Sequence, residues 1–137
     1  MAEMDEFNRT VVEEFRANAG QVGGGFAGLP MILIETKGPK SGKTYTTPLV
    51  YLADGDSWYI FASKGGAPTN PVWFDHLKAG PDITIEVGSE RFAATATELT
   101  GTERDTIYDK QASIMTNFAD YAAATTRVIP VFRLTRA

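Results

Sequence analysis

Lysines without acidic neighbours are the first feature of this sequence that could do chemistry. Segments 36–53 and 57–74 hold four lysines and no aspartate or glutamate, although the chain has a formal net charge of -4: Lys37, Lys40, Lys43 and Lys64. Ser63, Gly65 and Gly66 flank Lys64, and their hydroxyl and unobstructed N–H groups add donors for an anion. The pattern predicts a phosphate site, with solubilising lysines on exposed hairpin turns as the alternative.

Residue types for metal or triad chemistry are scarce. The chain has no cysteine and one histidine, His76, which removes thiolate metal sites and most zinc geometries. No Gly-x-Ser-x-Gly segment accompanies His76. We therefore predict no metal site and no hydrolase triad, and we interpret His76 as a surface or half-buried structural histidine.

Two glycine-rich segments imitate nucleotide-binding motifs. Residues 23–28 satisfy the letters G-x-G-x-x-G, but a helix precedes them and a strand follows, which reverses the order of the dinucleotide fold. Residues 38–44 are one residue short of a P-loop, and residues 45–48 cannot begin a helix. Both segments are interpreted as connections.

Short strands with a few helices must position these residues. The patterns predict strands at 31–37, 45–53, 57–63, 82–87, 91–99 and 128–134, and helices at 71–79, 102–116 and 118–124. Asn70 is the expected N-cap of the first of these helices. Pairing of strands 45–53 and 57–63 as a hairpin would bring Lys40 and Lys43 to the same end of the sheet as Lys64.

The element pattern predicts an α+β fold in a single domain, residues 1–137. The expected architecture is a mostly antiparallel barrel, closed or split, of six or seven strands with three to four helices. The segments between the predicted strands are too short for repeated parallel crossovers. An amphipathic helix is expected within residues 1–19, with Met4, Phe7, Val11 and Phe15 on its apolar face. A glycine-rich joint follows at 20–28.

Net charge and hydropathy exclude some classes of binding partner. A pI near 5.0 excludes an electrostatic grip on nucleic acid. The longest apolar run, 29–34, is too short to span a membrane. Five acids and two arginines through residue 19 give a net charge of -3, which disfavours anionic lipid, so even weak membrane association is not predicted. The acidic start without a secretory pattern predicts a cytoplasmic protein. No oligomeric state is predicted.

Several ordered segments resemble the deazaflavin-dependent nitroreductase family. They are Lys40-Ser41-Gly42, Thr47-Pro48-Leu49-Val50-Tyr51, Ala62-Ser63-Lys64-Gly65-Gly66, Asn70-Pro71-Val72-Trp73 and Leu77, with Tyr121, Arg127 and Ile129-Pro130 continuing the likeness. The resemblance implies a flavin-reductase-like split β-barrel. It also implies an enzyme that passes a hydride from reduced 8-hydroxy-5-deazaflavin, coenzyme F-420, to a quinone or nitroaromatic acceptor.

The resemblance assigns expected roles to individual residues. Lys40, Ser41, Ser63, Lys64 and Gly65 would hold the phosphate and the start of the acidic tail, and Pro48, Val50, Tyr51, Ala62 and Trp73 would hold the ring system. Phe118, Tyr121 and Ala124 would face the acceptor, with Tyr121 as proton donor. An FMN-dependent oxidoreductase on the same barrel and a non-catalytic cofactor- or ligand-binding protein are the alternatives.

Overall fold

The computed structural model of the protein describes residues 2–3, 6–23 and 27–137. Within these ranges it has eight strands: β1 (Ala2–Glu3), β2 (Met31–Lys37), β3 (Thr44–Val50), β4 (Leu52–Asp54), β5 (Ser57–Phe61), β6 (Asp82–Val87), β7 (Glu90–Leu99) and β8 (Val131–Arg136). The helices of the same ranges are α1 (Glu6–Ala17), α2 (Val72–Ala79), α3 (Gly101–Ile114) and α4 (Asn117–Ala124), and a 3₁₀ turn covers Lys64–Gly66. Met4 and residues 24–26 of the expected joint lie outside the described residues.

One sheet holds all of these strands in the order β1-β3-β2-β6-β7-β8-β5-β4. Every pairing is antiparallel except that of the two-residue strand β1, which runs parallel to β3. β3 and β5, near opposite ends of this order, contact each other without a shared ladder, so the sheet curls into an open barrel. The predicted α+β, mostly antiparallel split barrel is confirmed, with β1 as an additional strand.

The predicted hairpin between residues 45–53 and 57–63 is wrong. β3 pairs with β2 along its whole length, and only the three residues of β4 pair with β5. The chain leaves β3 at Tyr51, whose N–H donates to the carbonyl of Pro30 at 3.1 Å, and crosses to the other edge of the sheet. The β-type composition continues through Tyr51, so the sequence carries no sign of this break.

The true pairing places the turn that contains Lys40 at the Thr44 end of β3, opposite the Val50 end. Lys37 pairs with Thr44 at one end of the β2–β3 ladder, and Met31 pairs with Val50 at the other. Residues 38–43, which include Lys40, therefore form the turn at the Lys37 end.

β2 is buried on both faces, which explains its continuous apolar sequence. Ile32 and Ile34 belong to the barrel interior together with side chains of β5, β6, β8 and α2. Met31 and Leu33 pack on the other face against α1, whose buried side chains are Val11, Val12 and Phe15. α1 is therefore a packing element of the barrel.

A salt bridge fixes the end of α1 to the sheet. Nε and Nη2 of Arg16 donate to the two carboxylate oxygens of Glu86 at 3.1 and 2.7 Å. Arg91 joins Glu86 to Glu35, so the ion network spans β2, β6 and β7. No helix in the described part of the chain has the length and apolar character needed to cross a membrane.

Two segment starts differ from the sequence expectation. Pro71 occupies the N-cap of α2, and Asn70 makes no capping bond because its Oδ1 accepts a hydrogen bond from Arg127. β8 begins only after Pro130, which has no N–H to give to a ladder. The carbonyl of Pro130 instead accepts the N–H of Ala62 at 2.9 Å, just before the loop at residues 63–66, called the lysine loop below.

Candidate active site

A cavity of about 400 Å³ is bordered by β3, the loop at residues 63–65, the start of α2, and α4. Pro48, Val50 and Trp73 give it an apolar wall, and Phe118 and Tyr121 of α4 also line it. The remaining lining residues are Leu29, Met31, Leu49, Phe61, Ser63, Lys64, Gly65, Pro71, Met115 and Asn117. An apolar concavity of this size with a few polar groups is typical of a small-molecule site.

The loop at residues 63–66 supplies the cavity with N–H groups and a cation. Ser63 has right-handed dihedrals (φ -73°, ψ -39°), whereas Lys64 and Gly65 are left-handed at φ 46° and 64°. A right-handed residue followed by a left-handed one turns successive N–H groups to one concave side, which suits an anion. The first N–H bonded within this turn is that of Gly66, which donates to the carbonyl of Ser63. The turn itself therefore uses neither the N–H of Lys64 nor that of Gly65.

Gly66 sets how closely α4 approaches this loop. Its φ is +82°, and a Cβ built on it would lie 2.9 Å from Cβ of Ala124 and 3.0 Å from the carbonyl oxygen of Tyr121. Only glycine combines this backbone conformation with so close a contact. The contact explains how Tyr121 comes to share a cavity with Lys64.

Tyr121 has a defined hydrogen-bond partner within the cavity. Nδ2 of Asn117, one turn earlier on α4, donates to Oη of Tyr121 at 2.9 Å. Because the hydroxyl oxygen accepts this bond, its proton remains available for another acceptor. The rings of Phe118 and Tyr121 meet nearly edge to face with their centroids 5.3 Å apart.

Tyr108 of α3 anchors the start of α4. Its hydroxyl donates to the carbonyl of Phe118 at 2.6 Å. Burial raises the pKa of Tyr108, an effect opposed by Arg104 and Arg127, so the hydroxyl keeps its proton and remains a donor. Tyr108 thus holds in place the part of α4 that carries Phe118 and Tyr121.

The structure brings most of the sequence-predicted site residues to this one cavity. Those on its lining are Pro48, Val50, Ser63, Lys64, Gly65, Trp73, Phe118 and Tyr121. Ala62 is buried beneath the loop, Tyr51 packs against the barrel interior, and Ala124 faces Gly66. Lys40 and Ser41 lie in the turn at the other end of β3, where Oγ of Ser41 accepts the N–H of Lys43 at 3.2 Å.

Sequence reasoning missed other lining residues because they look structural. Met31 and Leu49 lie in strands and Pro71 at a helix start, and each has a sufficient local explanation. Met115 was assigned to a helix. Asn117 carried one usable signal, its spacing of four residues from Tyr121 on a helix, at which side chains meet.

His76 is structural but deeper than expected. Its side chain is buried, its Nδ1 lies 2.9 Å from Oγ1 of Thr36, and its ring centroid is 4.8 Å from that of Tyr45. Burial lowers the pKa of His76, while Asp75 opposes the shift. His76 is absent from the cavity lining, and the described residues hold no cluster of potential metal ligands.

Fold and cavity together define a class of protein: a split-barrel domain in which a lysine- and glycine-containing loop, residues 63–66, borders a largely apolar cavity. The chain belongs to the F420H(2)-dependent quinone reductase family, whose pattern matches residues 7–136. An F420H(2)-dependent quinone reductase of Mycobacterium tuberculosis is 39% identical over 129 residues, covering 89% of this chain and 85% of that protein.

Two solved structures are similar to the chain in both fold and sequence. One is an F420-H2 dependent reductase, 35% identical with a TM-score of 0.71, covering 77% of this chain and 93% of that one. The other, described as a domain-swapped dimer, is 31% identical with a TM-score of 0.73 and covers 92% of each chain. The family resemblance drawn from the sequence is therefore confirmed.

Proposed function

We propose that this protein reduces a quinone with coenzyme F-420 as the hydride donor. The observation that carries the proposal is the junction of the left-handed Lys64–Gly65 loop with the apolar slot of Pro48, Val50 and Trp73 in one cavity. A deazaflavin coenzyme has the same two parts, a flat ring and a phosphodiester with carboxylates. Family membership supports the same reading, and no finding favours FMN or a non-catalytic role.

The slot would hold a ring system against apolar side chains. Trp73 is 4% exposed and packs edge to face on Phe132, so its position is fixed by the core. Pro48 has no N–H and lies beyond the two residues of β3 that pair with β1, so it adds no unpaired hydrogen-bond donor to that edge. When bound, the coenzyme supplies a hydride from its reduced ring. The chain contributes orientation and a dry environment.

The loop would hold the phosphate. The N–H groups of Lys64 and Gly65 and the hydroxyl of Ser63 offer neutral donors, and the Lys64 ammonium offers charge. Lys64 Nζ lies 3.4 Å from Oγ1 of Thr69, a weak neutral contact that leaves its charge uncompensated. These residues suit a monoanionic phosphodiester.

Lys40 and Ser41 would contact only the far part of the acidic tail. Pro48 lies four residue steps along β3 from Thr44 at the start of the strand, a length of about 13 Å. A tail that follows the strand reaches the turn beyond it. Lys40 is exposed, so its contribution should weaken strongly with added salt.

Tyr121 would donate a proton to the acceptor. A quinone becomes its hydroquinone by taking up one hydride and one proton, and the Tyr121 hydroxyl, which Asn117 orients, would supply that proton. Phe118 and Tyr121 offer aromatic surface for a flat acceptor. One positioned donor suits a quinone better than a nitro group, which needs further protonation.

The test is oxidation of the reduced coenzyme with menadione as acceptor. We expect turnover by the wild-type protein and a rise of about tenfold or more in the KM for the coenzyme in Lys64→Ala, since a charged hydrogen bond is worth about 1.5 to 3 kcal/mol. Lys110→Ala is the matched control, because Lys110 forms an exposed ion pair with Asp54 and does not line the cavity. Absence of turnover with quinones and nitroaromatics alike would refute the proposal.

A further inference from the structure

Arg127, in the segment after α4, lies behind the anion-binding loop and holds it by four hydrogen bonds. Nε donates to the carbonyl of Ala67 at 2.8 Å, and Nη2 donates to the carbonyl of Ser63 at 2.8 Å. Nη1 donates to the carbonyl of Ala62 at 3.0 Å and to Oδ1 of Asn70 at 2.7 Å. One guanidinium therefore connects both ends of the segment 62–70.

These bonds determine which way the loop N–H groups point. In a trans peptide the carbonyl and the following N–H project to opposite sides, and the described chain has no cis peptide. Fixing the carbonyls of Ala62 and Ser63 toward Arg127 thus turns the N–H groups of Ser63 and Lys64 away from it. The left-handed φ of 46° at Lys64, costly for a non-glycine residue, needs such a constraint to persist.

The positive charge of Arg127 is not compensated by a carboxylate among the described residues. All four acceptors are neutral, and no carboxylate in the described part of the chain pairs with this guanidinium. By contrast, Arg16, Arg91, Arg104, Arg133 and Arg136 each pair with a carboxylate. A half-buried positive charge beside the loop is screened less than the exposed Lys64 ammonium, so it favours an anion on the loop's other side.

We propose that Arg127 is a positioning residue for the anionic part of the coenzyme: it turns the loop N–H groups toward the cavity and adds its charge behind them. It acts through the loop rather than by touching the ligand, since it is absent from the cavity lining. This inference rests on the proposed function.

The first test removes the guanidinium. Arg127→Met should raise the Kd for reduced coenzyme at least tenfold, measured by tryptophan fluorescence, while kcat at saturating coenzyme falls less than threefold. Arg127→Lys keeps the charge but cannot bridge four oxygens, so its Kd should lie between those of wild type and Arg127→Met. Arg104→Met is the matched control, because Arg104 also donates two bonds to one carbonyl, that of Ile129, and should leave the coenzyme Kd unchanged.

The second test leaves the loop geometry intact. Asn70→Asp keeps an acceptor oxygen beside Nη1 but places a negative charge there, which neutralises Arg127 without breaking its bonds. The variant should unfold at the wild-type temperature or above, and its coenzyme Kd should rise severalfold in low salt and less in 0.5 M salt. Wild-type Kd values in Asn70→Asp and in folded Arg127→Met would overturn the inference alone. A wild-type protein that does not bind coenzyme would overturn the proposed function and the inference with it.

Discussion

The Tyr121 hydroxyl is the side-chain group on which the proposed proton transfer depends. Its oxygen accepts a bond from Asn117, so its proton is directed elsewhere. We expect Tyr121→Phe to lower kcat with menadione about tenfold, a loss of about 1.4 kcal/mol in transition-state stabilisation. The coenzyme Kd should not change, because the hydroxyl acts on the acceptor.

Asn117 provides the control for this assignment. Asn117→Ala should lower kcat less than Tyr121→Phe does, and it should add no further loss when combined with Tyr121→Phe, since it acts through that hydroxyl. Full additivity of the two changes would show that Asn117 does not position Tyr121. An unchanged kcat in Tyr121→Phe would remove Tyr121 as donor.

His76 should make the stability of the fold depend on pH. Its pKa is lowered in the folded protein by burial, so the unfolded chain binds the proton more tightly. The stability from neutral His76 is complete above about pH 6.5, the unfolded pKa, and declines as the pH falls from there toward the folded pKa. Urea unfolding at pH 7.5 and 5.5 should show a larger loss for wild type than for His76→Gln. Equal losses would contradict the assignment.

At the level of elements, the cavity depends on the contact between the lysine loop, residues 63–66, and α4. Gly66→Ala places a Cβ 2.9 Å from Cβ of Ala124 in a left-handed backbone, so α4 must shift. We expect a loss of about 1 to 3 kcal/mol in the free energy of unfolding and a raised KM for quinone, measured by urea titration and steady-state kinetics.

Gly65→Ala separates backbone strain from the steric clash. Gly65 has a similar φ of +64°, but a Cβ there would meet nothing within 4 Å. Its stability loss should therefore be smaller than that of Gly66→Ala by the cost of moving α4. Equal losses in the two variants would mean that α4 does not rest on Gly66 in solution.

The elements that could be predicted from the sequence are those whose boundaries are marked by nearby residues. β2 and β6 begin and end at the predicted residues because proline or glycine bounds them and β-branched residues fill them. The end of β3 at Val50 was missed because the break is set by the crossing to β4, which depends on tertiary structure. Asn70 had the right residue type for a helix cap, but its side chain bonds to Arg127, 57 positions away.

The same limit applies to the site. Lys64, Gly65 and Trp73 could be predicted because the family motifs containing them are continuous in sequence. Asn117 and Met115 reach the cavity only because α4 closes on the loop, which no local pattern encodes. Convergence of Lys40 with Lys64 was inferred from a hairpin between residues 45–53 and 57–63, of which only the short β4–β5 part forms.

For the whole molecule, the curled sheet is what assembles the cavity. Its lining runs from Leu29 to Tyr121 and draws on β3 and β5, strands that contact each other only because the sheet curls. α1 supports this arrangement by covering Met31 and Leu33 on the outer face of β2. We propose that the coenzyme ring binds inside this cavity, against Trp73.

Trp73 allows that claim to be tested directly. The chain has two tryptophans, and the other, Trp58, packs on Phe92 away from the cavity lining. Titrating reduced coenzyme into the Trp58→Phe protein leaves Trp73 as the emitter, and we predict saturable quenching at one equivalent, with a higher midpoint after Lys64→Ala. Quenching that is absent in Trp58→Phe but retained in Trp73→Phe would show that the ring does not bind against Trp73.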